Sequence, residues 1–120
     1  MEFSYTIKNE SHYAIVHLSG NLITEDQTKV IVDDISKMIE KNLHNFIINL
    51  SQVNYMNSTR LNLLIKILTK SRNSGGETIV TEVPDRINKL FLISKLNNVF
   101  SVTGNLEAAI NILNKEKTCL

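Results

Sequence analysis

Three small polar residues in a row, Asn57-Ser58-Thr59, followed by Arg60, are the side chains whose types and spacing best suit chemistry. They precede an apolar pattern of helical period that starts at Leu61, and all three are good helix N-cap residues. The plain reading is that one of them caps the helix and the others are tolerated. The functional reading is that Ser58 presents its hydroxyl at a helix start, where free amides and the helix dipole favour a phosphate and Arg60 adds a positive charge. Phosphorylation would add about −1.5 to −2 charges to a neutral surface.

The other reactive residues do not converge. His12 falls in a turn, His17 on a strand and His44 in a loop, and none stands three or four residues from another ligand on a shared helix face, so no metal site is expected. Asp33 and Asp34 are consecutive on a helix, about 100° apart, and do not form an acid/base pair. Ser74-Gly75-Gly76 follows a helix, whereas a phosphate loop precedes one, so the glycines read as a helix stop. Cys119 reads as a frayed terminal thiol. No nucleophile, base and orienting group assemble, so neither catalytic residues nor a cofactor is expected.

The elements that position the Ser58 corner follow from periodicity. Phe3, Tyr5 and Ile7, then Ala14, Val16 and Leu18, alternate with neighbours on either side of Asn9-Glu10-Ser11-His12, which predicts a β-hairpin ended by Gly20. Thr24 to Gln27 matches a capping box, and Ile31, Ile35, Met38 and Ile39 carry a helix to about Lys41. Phe46 to Leu50 reads as a central strand covered on both faces, with Ser51 to Asn57 connecting it to a helix that Asn73 to Gly76 stops. Thr78 to Val83 is the next strand, Pro84 opens a helix to about Lys95, Val99 to Val102 forms a short strand, and Asn105 to Leu113 a final helix. The order β-β-α-β-α-β-α-β-α predicts one α/β domain over residues 1–120. Its sheet should be mixed and four- to five-stranded, with about four helices packed against it.

On a helical wheel Leu61, Leu64, Ile65 and Leu68 cluster in one direction, while Leu63 and Ile67 stack four residues apart and point away from it. Either a wider core covers these two, or they form an exposed apolar strip beside Ser58 where a partner would sit.

Ile48 to Leu61 and the later Gly75-Gly76, set in this element order, resemble the STAS domain of bacterial anti-sigma factor antagonists over essentially the whole chain. The family pattern is close to Asp-Leu-Ser, a short spacer, then Met-Asp-Ser-Ser/Thr-Gly-Leu opening a helix. Asn49-Leu50-Ser51 and Met56-Asn57-Ser58-Thr59-Arg60-Leu61 match it in register, and Glu107-Ala108-Ala109 resembles the Glu-Ala pair of its last helix. The resemblance implies that Ser58, beside Thr59, accepts phosphate from an anti-sigma factor that is also a serine kinase. It further implies that the unphosphorylated protein binds this kinase and frees a sigma factor to direct transcription, with a serine phosphatase as a further partner. Asn57, Ser58, Thr59, Arg60, Leu63 and Ile67 are the expected contact residues. Three positions depart from the pattern: Asn49 and Asn57 replace acidic residues, and Arg60 replaces a glycine. Arg60 either pairs with a phosphate or crowds a partner shaped for glycine.

Composition agrees with a cytoplasmic signalling module. The 120 residues are 42% apolar and 21% charged with net charge +1, so no global field attracts nucleic acid or membrane. The start lacks the basic and apolar regions of a secretory signal, and no apolar run approaches the roughly 20 residues that span a bilayer. Two other readings stay open: a constitutive scaffold of a larger sensory complex, and a domain that senses a small anion or nucleotide at the helix start.

Overall fold

The computed structural model describes residues 3–10, 13–22, 25–57, 61–95 and 101–118. Among them the chain runs β1 (Ser4–Asn9), β2 (Ala14–Leu22), α1 (Glu25–Glu40), β3 (Phe46–Met56), α2 (Asn62–Asn73), β4 (Thr78–Thr81), α3 (Asp85–Ile93), β5 (Ser101–Thr103) and α4 (Leu106–Thr118). This is the order that the periodicity predicts. The strands form one five-stranded sheet ordered β1-β2-β3-β4-β5. Its first pair is antiparallel and the other three are parallel, as helical crossovers require.

β3 lies in the middle, and Phe46 to Leu50 are all buried because helices cover both faces. Phe46, Ile48 and Leu50 point into a core shared with Ile31 and Ile35 of α1, Leu64 and Leu68 of α2, and Phe91 of α3. Ile47 points the other way, into a smaller core with Ile15, Ile79, and Ala109 and Leu113 of α4. Three helices therefore cover one face and α4 the other. Asn105 caps α4, its Oδ1 accepting the Ala108 amide at 2.8 Å.

Two strands run past their expected ends. Gly20 does not stop β2; it takes φ 87° inside the strand, where the pairing with β3 shifts register on either side of Ser19-Gly20. A glycine absorbs such a bulge without steric strain, so β2 continues to Leu22. β3 follows it as far as Met56, and the stretch from Ser51 expected as a connection is mostly strand, anchored by buried Val53 and Met56. Conversely β4 ends at Thr81 rather than Val83, because Glu82 turns the chain with φ 53°. Thr24, expected in the capping box, lies outside the described residues; Gln27 instead donates to the Asn21 carbonyl at 3.3 Å.

The α2–β4 turn is a Schellman motif. Ser74 is the C-cap, Gly75 follows at φ 94°, and its amide donates to the Arg72 carbonyl at 3.1 Å while the Gly76 amide donates to the Ser71 carbonyl at 2.7 Å. The expected helix stop is therefore present. Gly76 also lies against the His44 backbone, where a Cβ would come within 2.0 Å of the His44 carbonyl oxygen.

At the sheet edge the Tyr5 hydroxyl donates to Asp34 Oδ2 at 2.5 Å, tying β1 to α1. Burial of the phenol, then the hydrogen bond to Asp34 and its negative charge, push the Tyr5 pKa up to about 12. A raised acid pKa means that the fold favours the neutral phenol. This stabilisation is complete below the unfolded value near 10 and is lost as pH rises through about 12. Tyr5→Phe is expected to remove that step. The difference in urea midpoint between wild type and variant should shrink from pH 9 to 12, and a constant difference would deny the linkage.

Candidate functional site

The corner singled out in the sequence begins where β3 ends. Met56, 2% exposed, is its last residue, and the half-buried Asn57 follows. Ser58, Thr59 and Arg60 lie outside the described residues. The chain resumes at Leu61, again 2% exposed, so the polar trio and Arg60 bridge two side chains fixed in the same core. Leu61 occupies the capping position of α2, and its side chain supplies no oxygen to the first-turn amides. Leu61 is itself already helical, at φ −58° and ψ −23°, and Ser58 and Thr59, two of the expected capping residues, lie outside the described residues.

Leu63 and Ile67 are not an exposed strip. They are 1% and 0% exposed and belong to the main core, which corrects their assignment to a docking surface. The reason is the phase of α2. Its buried residues are Leu63, Leu64, Ile67, Leu68 and Ser71, so the inward stripe centres near Ser71 and Leu64, and Ile65 falls at its partly exposed margin. Ser71 hides this phase in the sequence because it is polar. Its hydroxyl is satisfied in the core by the Leu68 carbonyl at 2.9 Å and by Thr78 Oγ1 at 2.7 Å. The helix lies between α1 and α3 on the sheet, and those flanks require a wide apolar face.

Below the corner, on the α4 face, a polar row crosses the whole sheet. Thr6 pairs with His17, His17 with Asn49, Asn49 with Thr81 and Thr81 with Thr103. Asn49 is 4% exposed and fully engaged: Oδ1 accepts the Ser51 amide at 2.9 Å, and Nδ2 donates to Glu82 Oε2 at 2.7 Å. The Ser51 amide fixes which end of the side chain is the acceptor, so the donor end must face Glu82. Thr81 and Thr103 hydroxyls meet at 2.9 Å, and the Glu82 amide donates to the Thr103 carbonyl at 3.3 Å. The row therefore ties the fourth residue of β3 to the carboxyl ends of β4 and β5. The sequence marks Asn49 only as a departure from an acidic pattern; its partner, 33 residues away, carries no local signal.

The remaining reactive residues stay apart. His17 is half-buried on β2, His44 lies in the loop before β3, and His12 and Cys119 lie outside the described residues. Among the described residues no group of three or more His, Cys, Asp or Glu is placed to hold a metal ion. No described helix is long and apolar enough to cross a membrane.

Comparison with known proteins agrees with this geometry. The model of the STAS domain matches residues 5–109. The structure of the anti-sigma factor antagonist SpoIIAA in its unphosphorylated form superposes with TM-score 0.80 at 19% identity, covering 93% of this chain and 97% of that one. The Bacillus cell fate determinant SpoIIAA in the phosphorylated form gives TM-score 0.72 at 19% identity, covering 91% and 99%. A serine-to-glutamate variant of RsbS from Moorella thermoacetica gives TM-score 0.78 at 13% identity, covering 95% and 97%. At these identities the likeness is one of fold.

Proposed function

The chain belongs to the STAS domain family, and on that premise we propose that it acts as an anti-sigma factor antagonist. It is a non-enzymatic protein-binding module, one domain long, that works in the cytoplasm. Unphosphorylated, it binds an anti-sigma factor that is also an ATP-using serine kinase; phosphorylated on Ser58, it releases that partner, and a serine phosphatase resets it. Asn57, Thr59 and Arg60 flank the acceptor and complete the contact surface. Neither nucleic acid nor membrane is a partner.

The observation that carries this reading is the pair of buried anchors, Met56 and Leu61, on either side of the polar segment. They match the family pattern in register and fix the ends of the segment that holds Ser58. A phosphate in that segment must shed water when a partner docks, and desolvating a dianion without new partners is strongly unfavourable. Modification thus works as an off-switch. The solved SpoIIAA forms, one unphosphorylated and one phosphorylated, support the same reading because both share the fold.

Incubation with the cognate kinase and ATP is expected to load one phosphate on wild type and none on Ser58→Ala, read by intact mass. Equal uptake by both would remove Ser58 from its role. The second reading, a constitutive scaffold, draws on Asn57 and Arg60, which erode the kinase-facing pattern. It requires that Ser58→Asp retain every partner in a pull-down, whereas the switch requires that the kinase be lost.

A further inference from the structure

A cavity of about 380 Å³ opens between the last residues of β3 and α3, and no residue of the polar row is among its described lining. The strand contributes Asn54, Tyr55, Met56 and Asn57. Across from them α3 contributes Arg86, Ile87 and Leu90. The size lies at the small end of the range for ligand pockets, about 300–1,000 Å³.

The lining divides by chemistry. Met56 and Ile87 are buried and Leu90 partly so, which gives an apolar floor. Tyr55 is 50% exposed, an unusual position for an aromatic ring on a strand end, and offers a flat wall. Arg86 is exposed, lines the cavity and makes no ion pair with any described residue. No carboxylate is among the described lining residues, and Arg86 is the one cation there. The exposed Asp85 next to it in the chain does not line the cavity.

Among the described lining residues a guanidinium stands over an apolar floor, an arrangement that suits a ligand with an anionic group on a compact apolar body. Arginine's fixed fork matches the two oxygens of a carboxylate, and an aromatic body gains from contact with the Tyr55 ring. We propose that this cavity binds small aromatic carboxylates. Because Asn57 belongs both to the lining and to the Ser58 corner, an occupied cavity would brace the strand end against α3.

The test uses the isolated chain with no kinase or partner present, so its outcome is independent of the antagonist reading. Backbone amide NMR is recorded during titration with indole-3-acetate, phenylacetate and 4-hydroxybenzoate, each against its uncharged amide. At least one acid is expected to bind saturably with shifts centred on residues 54–57 and 86–90, about tenfold more tightly than its amide. Arg86→Ala should weaken it about tenfold and Tyr55→Ala about threefold; both residues are exposed, so the fold should hold, as an unchanged melting curve would show. Absence of saturable binding by all three acids, shifts centred elsewhere, equal affinity for acid and amide, or an unchanged affinity in Arg86→Ala would each overturn the proposal.

Discussion

Gly76→Ala is expected to destabilise the protein by about 3 kcal/mol and to lower its melting temperature by about 10–15 °C. The added methyl would lie 2.0 Å from the His44 carbonyl oxygen, 2.5 Å from its carbon and 2.6 Å from the His44 Cβ. None of these atoms is the far end of a flexible side chain. The segment cannot retreat easily, because the Asn45 carbonyl accepts the Ala14 amide at 3.0 Å and Asn45 Oδ1 accepts the Glu77 amide at 3.0 Å. The Phe46 amide donates to the Glu77 carbonyl at 2.9 Å, so moving His44 disturbs the start of the central strand. Gly75→Ala is the control. Its Cβ would meet nothing within 4 Å, so only the φ of 94° opposes it, at about 1 kcal/mol. Thermal melts of the two variants should rank Gly76→Ala well below Gly75→Ala. The reverse order, or two equal shifts, would show that the close approach does not govern this turn.

Asn49→Asp restores the acidic residue of the family pattern and is expected to weaken the fold by about 2 kcal/mol at neutral pH. The substitution replaces the Nδ2 donor by a carboxylate oxygen, which would face Glu82 Oε2 across the present 2.7 Å contact. Two carboxylates so placed share a proton, and the pair's folded pKa rises above the unfolded carboxylate value near 4. The sign follows: the variant approaches wild-type stability below that unfolded value and loses it as pH rises through the raised folded one. Glu82 is half-buried, so water screens part of the repulsion and the figure is set below that for a fully buried pair. Adding Glu82→Gln supplies a side-chain amide as donor and should recover most of the loss. Urea unfolding at pH 4 and 7 for wild type and the two variants measures this, and an Asn49→Asp protein as stable as wild type at pH 7 would show that the Asn49–Glu82 bond is incidental.

The two positions illustrate what a linear sequence can and cannot display. Element order was legible because each strand and helix is bounded by local chemistry, such as the glycines after α2 and Pro84 before α3. Of the corner after Asn57 the structure describes only the flanking Met56 and Leu61, both buried, because Ser58 to Arg60 lie outside the described residues. The extent of β3 was not legible, since its continuation depends on Gly20 absorbing a bulge in β2, and pairing between strands has no local marker. The phase of α2 was misread because Ser71 lies in the core through a bond to Thr78, which a polar-outward rule cannot anticipate. Leu63 and Ile67 consequently looked like surface residues. Asn49 and Glu82, and likewise Tyr55 and Arg86, come together only when crossovers bring distant segments side by side.

The pairing of β3 ends at different points on its two sides. With β4 it stops at Asn49, whereas with β2 it goes on to Met56, seven residues and about 23 Å further along the strand. The segment carrying Ser58 is thus held out on a boom, secured at its tip by Met56 and Leu61 but remote from the polar row at its root. A substitution at Asn57, near the tip, therefore leaves the Asn49–Glu82 bond at the root in place. On the proposed function, the residues that meet a regulator are thus open to mutation without re-engineering the chassis that displays them.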